Sequence, residues 1–298
     1  MRQGLAAATA AYLIWGLFPV YWKQLQAVPA QQIMAHRIIW CALFVGVWLF
    51  ARHGLAWLRT LMPQLLTMLA ASAALISLNW WLYIWAVNSG HIVETSLGYF
   101  INPLVSVLMG VLILRERLNR AQWLAVAIAA TGVLWLTWQA GKLPWIALAL
   151  ALSFGSYGLI RKLAIVPSVQ GVAVESGLLF IPALAFLLWT EHAGSGSFGH
   201  LGMRIDALLV AGGLVTALPL VLFAIGTRRI PLSMVGILQY LAPTLQLITG
   251  VLVFGEPFSK AQAIGFGCIW LALAVYASDG LWRARRRGQL AVAATGSS

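Results

Sequence analysis

The chain has 298 residues, of which 61% are hydrophobic and 9% charged, with 19 Lys and Arg against 7 Asp and Glu. A soluble chain of this length would carry roughly 75 charges, so a soluble domain with a polar shell is excluded, as are a disordered chain, a collagen-like repeat and a disulfide scaffold. A mean hydropathy of +0.89 and 15 Trp point to a protein whose solvent is lipid.

The opening residues, MRQGLAAATAAYLIWG, resemble a signal peptide only at first sight, because the apolar run continues through Trp15 and Pro19 to Lys23 and is followed by more membrane. At about 20 residues per crossing, the apolar windows predict ten spans: 4–25, 32–50, 64–87, 92–114, 121–138, 143–160, 169–189, 206–226, 231–254 and 261–278. Most connections are short, which makes successive spans antiparallel neighbours. The longest is the Gly/Ser-rich stretch from Glu191 to Asp206. Cys41 and Cys268 fall inside apolar runs and read as buried thiols, not as a disulfide or metal ligands.

Basic residues orient the spans. With a cytoplasmic N-terminus, fourteen of the 19 lie inside: Arg2, Arg52, Arg59, Arg115, Arg117, Arg120, Arg161, Lys162, Arg228, Arg229, Arg283, Arg285, Arg286 and Arg287. Outside segments keep Lys23, Lys142, Arg204 and Lys260, and Arg37 sits within a span. The positive-inside rule then puts both termini in the cytoplasm, an asymmetry that an odd number of spans would destroy. The RARRR run after the last span reads as an anchor for anionic lipid, with no nucleic-acid partner implied.

The chain also repeats itself. Residues 101–122, INPLVSVLMGVLILRERLNRAQ, match 241–262, LAPTLQLITGVLVFGEPFSKAQ, without a gap, pairing Pro103 with Pro243, Gly110 with Gly250, Glu116 with Glu256 and Gln122 with Gln262. Further back, Gly16 aligns with Gly155, Phe18 with Tyr157 and Lys23 with Lys162. The expected organisation is a five-helix unit over 1–140, a second over 141–278 and a basic cytoplasmic tail over 279–298. Five is odd, so the second unit enters the membrane from the opposite side. Inverted repeats let a site between the halves face each side in turn, a transporter property.

The pieces AAYLIWGLFPVYWK, AHRIIW, NWWLYIWAVNSGHIVETSLGYFINPLVS, SFGSYGLIRK and QYLAPTLQ together resemble the drug/metabolite transporter superfamily in its EamA-type form, and within it the RarD subfamily of bacterial inner-membrane permeases. The resemblance runs from about Gly4 to Ala277. It implies an all-α membrane protein of ten transmembrane helices in two inverted five-helix repeats. The central cavity would be lined mainly by spans one, three, four, six, eight and nine, with spans five and ten at the periphery, where a homodimer contact is often found. It further implies export or exchange of small metabolites. The subfamily name is associated with chloramphenicol sensitivity, which does not settle the physiological substrate.

Polar groups in hydrocarbon cost about 2.5–3.5 kcal/mol each on insertion scales, so each calls for a reason. Lys23, His36, Arg37, Asn88, His91 and Glu94 fall in the outer third of the first repeat; on the inner side Lys162 matches Lys23, Glu175 matches Arg37 and Arg228 matches Asn88. Two charge layers result. Glu94 is expected to pair with Lys23 or Arg37 at the outer mouth, and Glu175 with Arg161 or Lys162 at the inner, with snorkelling or permanent bridges as the alternative.

Between the layers, helical spacing groups Tyr12, Gly16, Pro19 and Lys23 with Trp15 beside them; Ser72, Ile76, Asn79 and Tyr83; Tyr99, Asn102 and Ser106; and Gln239, Pro243 and Gln246. Together with Tyr157, these faces describe a pocket for an amphipathic solute: stacking from Trp15 and Tyr99, hydrogen bonds from Asn79, Asn102 and Gln239. Helix packing with interhelical hydrogen bonds is the competing reading. Pro19, Pro103 and Pro243 read as bends or hinges. His36, Glu94 and Glu175 are the only candidates for proton coupling and none is central, so coupling is expected to be absent or indirect. No Walker run, catalytic cluster or metal-ligand spacing is present in the sequence, so no enzyme activity, cofactor or metal is expected. An intramembrane binding or regulatory protein is the alternative to a secondary transporter.

Overall fold

Lipid offers nothing for a backbone amide to bond to, so the apolar runs close their hydrogen bonds locally and become helices. The computed structural model describes residues 2–295 except 55, 56, 59, 60, 116, 117, 165, 228 and 230–237, and only the backbone of 103, 106, 107, 110, 114, 162, 168, 224, 227 and 280–295. Among the described residues every regular element is helical: α1 (Arg2–Gly16), α2 (Phe18–Lys23), α3 (Ala30–His53), α4 (Pro63–Asn88), α5 (Ile92–Leu114), α6 (Arg120–Ala140), α7 (Trp145–Leu163), α8 (Ser168–His192), α9 (Met203–Thr227), α10 (Leu241–Ile248), a π-helical turn (Thr249–Val253) and α11 (Lys260–Thr295). Among the described residues seven helices are long and apolar enough to cross a membrane, and shorter apolar stretches lie at Trp145–Arg161 and Leu241–Val253.

Two expected spans are not continuous helices. The first breaks at Leu17, and Pro19 enters the first turn of α2, where its missing N–H costs no hydrogen bond. The ninth begins on residues outside the described set; Pro243 lies in the first turn of α10, again where no intrahelical donor is lost, and a wider π turn follows. Pro103 lies in α5, but its side chain is outside the described residues. Pro182 in α8 and Pro219 in α9 also lie within long helices.

α1 packs on α9 and α10, α3 on α8 and α9, α4 on α7 and α8, α5 on α7 and α10, and α6 on α11. Short polar contacts gather many helix ends at one pole, hereafter the Lys23 end. Lys23 Nζ donates to Asn88 O (3.4 Å), Gln32 Nε2 to Ser195 O (2.7 Å) and Arg204 to Gln24 Oε1 (2.7 Å). Two carboxylates cap helices there: Glu256 accepts from the amides of Ile92 (2.7 Å) and Val93 (2.8 Å), and Glu94 from that of Ile146 (3.1 Å). Negative charge at a helix N-terminus meets both the unpaired amides and the positive end of the dipole. Beneath these caps lies a dry cluster around Trp22, Leu25, Ile33, Ile84, Val87 and Ile146. At the opposite pole Asn119 caps α6 and its amide also reaches Asp279 Oδ2 (2.6 Å), tying α6 to α11.

Small residues permit the close crossings that membrane helices depend on. A Cβ placed on Gly213 in α9 would sit 2.5 Å from Trp40 Cβ and 2.6 Å from the Trp40 carbonyl carbon in α3, whereas one on Gly267 would meet nothing within 4 Å. Gly213→Val is therefore expected to lower stability by about 1–3 kcal/mol, with Gly267→Ala neutral or slightly stabilising, as measured by unfolding of the purified protein in detergent.

Candidate functional site

A cavity of about 380 Å³ runs through the middle of the helix array. Its walls are Tyr12, Trp15 and Phe18 from α1 and α2, Arg37 and Val45 from α3, Ile76, Trp80 and Tyr83 from α4, and Tyr99 and Asn102 from α5. Phe154, Tyr157 and Arg161 come from α7, Val172 and Glu175 from α8, Thr216 and Phe223 from α9, and Gln239, Pro243 and Gln246 from the α10 region. Aromatic rings meet edge to face round the wall: Tyr12 with Trp15 (5.3 Å between centroids), Tyr12 with Phe223 (5.9 Å), and Tyr83 with Tyr99 (5.6 Å). Such rings present stacking faces to an organic solute while their edges hold one another.

Seven of the residues expected to line a pocket, Tyr12, Trp15, Tyr83, Tyr99, Asn102, Tyr157 and Gln239, stand on this wall. Asn79 does not. It is fully buried behind the wall, where its amide donates to Leu150 O (3.0 Å) and Ser153 Oγ (2.9 Å) and its carbonyl accepts from the Tyr99 hydroxyl (3.5 Å). It fastens α4 to α7 and steadies Tyr99. The α4 lining runs through Ile76, Trp80 and Tyr83, a face turned by roughly 40° from the 72/76/79/83 stripe at 100° per residue. Sequence reasoning missed Phe18, Trp80, Phe154, Thr216 and Phe223; the only available signal was their spacing from named neighbours, as Trp80 is at i+4 from Ile76.

The charged groups divide differently from expectation. Glu94 forms no ion pair with Lys23 or Arg37, because its carboxylate caps α7; Lys23 instead donates to Asn88 O and rides 5.7 Å from the Phe254 ring centroid. His36 stacks on Phe198 (5.0 Å) and is not part of the cavity wall. Arg37 is on the wall and 4% exposed. Its Nε donates to Thr216 Oγ1 (2.6 Å), and its guanidinium lies 3.9 Å from the Trp80 ring centroid, 5.2 Å from Trp22 and 5.6 Å from Phe18.

At the other end of the cavity Glu175 accepts from Ser72 (2.6 Å) and Tyr157 (3.4 Å), and Arg161 Nη1 lies 3.6 Å from its Oε1. The side chain of Lys162 and the whole of Arg228 and Glu116 are outside the described residues. The cavity thus reaches the Arg161–Glu175 pair at one pole and stops beneath the apolar plug at the Lys23 end.

Model matches to the EamA-like transporter family cover residues 2–138 and 143–278. The chain belongs to the EamA-like transporter family. Protein RarD of Escherichia coli (strain K12) is 43% identical over 96% of this chain and 97% of its own, and Protein RarD of Streptomyces exfoliatus is 46% identical over 98% and 94%. An uncharacterized transporter of Pseudomonas aeruginosa is 47% identical over 96% and 97%. A crystal structure of another protein, 22% identical, shares the fold with a TM-score of 0.58 over 91% of this chain and 96% of that one.

Asn79→Ala should cost about 0.6–1.7 kcal/mol, the range for interhelical side-chain bonds in membranes, seen as a lower melting temperature in detergent. Asn102→Ala, which removes a wall side chain whose Oδ1 has no hydrogen-bond partner, should melt within about 0.5 kcal/mol of the parent.

Proposed function

We propose that the chain is a secondary transporter that moves a small organic solute across the bacterial inner membrane by alternating access, as an exporter or exchanger. The observation that carries this reading is the cavity: aromatic, lined from both halves of the chain, and bounded at its two ends by different kinds of closure. At the Lys23 end the packed apolar side chains of Trp22, Leu25, Ile84 and Val87 lie beyond the wall residues. At the other end the Arg161–Glu175 pair is the polar boundary.

Ten transmembrane helices in two inverted repeats are part of the proposal. The packing pairs support it, because each maps onto another when the halves are exchanged: α1 on α9 and α10 corresponds to α7 on α4 and α5, α3 on α9 to α8 on α4, and α6 on α11 to itself. Repeat-related Gly16 and Gly155 both lie at crossings of corresponding helices. A Cβ on Gly16 would meet Leu245 of α10 at 2.7 Å, and one on Gly155 would meet Val105 of α5 at 3.2 Å. Arg37 and Glu175 each lie about two turns inside the start of corresponding helices α3 and α8. The distribution of basic residues supports cytoplasmic termini, and with that orientation the Arg161–Glu175 pair is the inner gate of the proposal. The outward faces, with Trp138, Leu134 and Leu252 exposed, are covered by lipid, leaving a second copy along α6 and α11 as a further possible partner surface.

Purified protein in liposomes should exchange members of a panel of amino acids, nucleosides and amphipathic drugs; folded protein that moves none would favour the binding-protein reading. Glu175→Gln keeps an acceptor oxygen for one of Ser72 and Tyr157, presents an N–H to the other and releases Arg161, so exchange per folded protein should change by about tenfold. Wild-type exchange in that variant would sink the gate. A fluorescent protein fused to the C-terminus should fluoresce in the cytoplasm; a periplasmic terminus would overturn the orientation.

A further inference from the structure

Arg37 is a buried cation with most of its bonding capacity unspent. A guanidinium carries five N–H donors; here Nε is taken by Thr216, and no hydrogen bond to either Nη nitrogen and no carboxylate within 4 Å is found among the described residues. The ionisable groups that act on it are Tyr21, Cys41, Tyr83 and Tyr99, phenols and a thiol that are ordinarily neutral. It does not snorkel, since it is 4% exposed and enclosed by Phe18, Trp22 and Trp80. Three aromatic faces lower the cost of holding the charge, but they leave the ends of the fork bare.

Among the described residues the cavity wall carries two guanidiniums, Arg37 and Arg161, and one carboxylate, Glu175. Glu175 is committed to Arg161, Ser72 and Tyr157. One positive charge is left over, and it belongs to Arg37. Tyr83 is also on the wall, and its buried hydroxyl has no hydrogen-bond partner. A charged fork and an unpaired phenol are thus both found on a cavity whose remaining lining is largely apolar, aromatic and aliphatic.

We infer that Arg37 and Tyr83 form the headgroup site of the cargo, and that the cargo is a small organic monoanion with a carboxylate head and an aromatic or aliphatic body. With Nε tied to Thr216, the free edge is the end-on pair of Nη nitrogens, which matches the two oxygens of a carboxylate. Tyr83 donates a third bond. The body then lies toward Tyr99, Trp15 and Phe154, where no cation-binding group is needed. The carboxylate supplies the one charge the cavity lacks, so loading neutralises it before it crosses. As a statement about cargo the inference rests on the transport reading; as a statement about binding it does not.

The test is direct binding to the full-length protein in lipid nanodiscs, read by tryptophan fluorescence and calorimetry. The probes are 3-phenylpropionate, 3-phenylpropionamide, 3-phenylpropylamine and phenyl phosphate. The carboxylate should bind at least about tenfold more tightly than the amide or the amine, the difference a charge-assisted pair makes over a neutral one. Arg37→Gln should abolish that preference, Arg37→Lys should retain part of it, and Tyr83→Phe should weaken the acid severalfold and leave the amide unchanged. The comparison of acid with amide on the unaltered protein needs no variant to fold. Equal binding of acid and amide, or binding of no probe, overturns the site; phenyl phosphate binding more tightly than the acid overturns the carboxylate assignment. Acid binding without exchange in liposomes would refute transport and leave the site standing. Exchange of acid and amide at equal rates by wild-type and Arg37→Gln proteins would refute the site and leave transport standing.

Discussion

Every polar group that enters hydrocarbon has to be met by protein, because the solvent will not meet it. Much of the architecture follows from that constraint. It makes the apolar runs helices, and it sends the carboxylates of Glu94 and Glu256 onto the bare amides at the starts of α7 and α5. It turns Asn79 away from the cavity toward Leu150 O and Ser153. Among the described residues it also leaves several side chains incompletely met, and two of them, Arg37 and Tyr83, belong to the cavity wall.

The membrane class and most helices were legible because hydrophobicity is a sum over about twenty residues and tolerates local error. The window 92–114 coincides with α5, and 121–138 falls within α6. What escaped was continuity. A hydropathy window does not register that the chain breaks at Leu17, or that the helical turn widens from Thr249 to Val253, since both stretches are as apolar as their flanks. Proline was similarly ambiguous: Pro19 and Pro243 sit in first turns, where proline belongs, while Pro182 and Pro219 occupy helix interiors.

Spacing picked out most of the helices that line the cavity and, on several of them, a residue of the wall. It could not resolve a rotation of part of a turn, which is why Trp80 was missed and Asn79 was assigned to the wall. Charge pairing was less legible. Opposite charges near one membrane depth invite an ion pair on paper, yet a helix N-terminus competes for the same carboxylate, and for Glu94 the amide of Ile146 prevails. Whether a helix start lies close enough to compete depends on the packing of α5 against α7, which is tertiary information. Glu175 is the contrasting case: the arginine that meets it comes from the neighbouring helix in sequence, α7, and pairing by proximity suffices.

The two capping carboxylates are exchanged between the halves of the chain. Glu94, from the first half, closes the start of α7 in the second; Glu256, from the second, closes the start of α5 in the first. Ile92 and Glu256 are 164 residues apart, so during synthesis the amides of α5 emerge long before the oxygen atoms that finish them. The start of α5 is therefore made uncapped and is completed only when the loop that carries Glu256 follows. Assembly in the bilayer is then a closing of two reciprocal clasps, and a truncated chain lacking the final helices would leave one of them open.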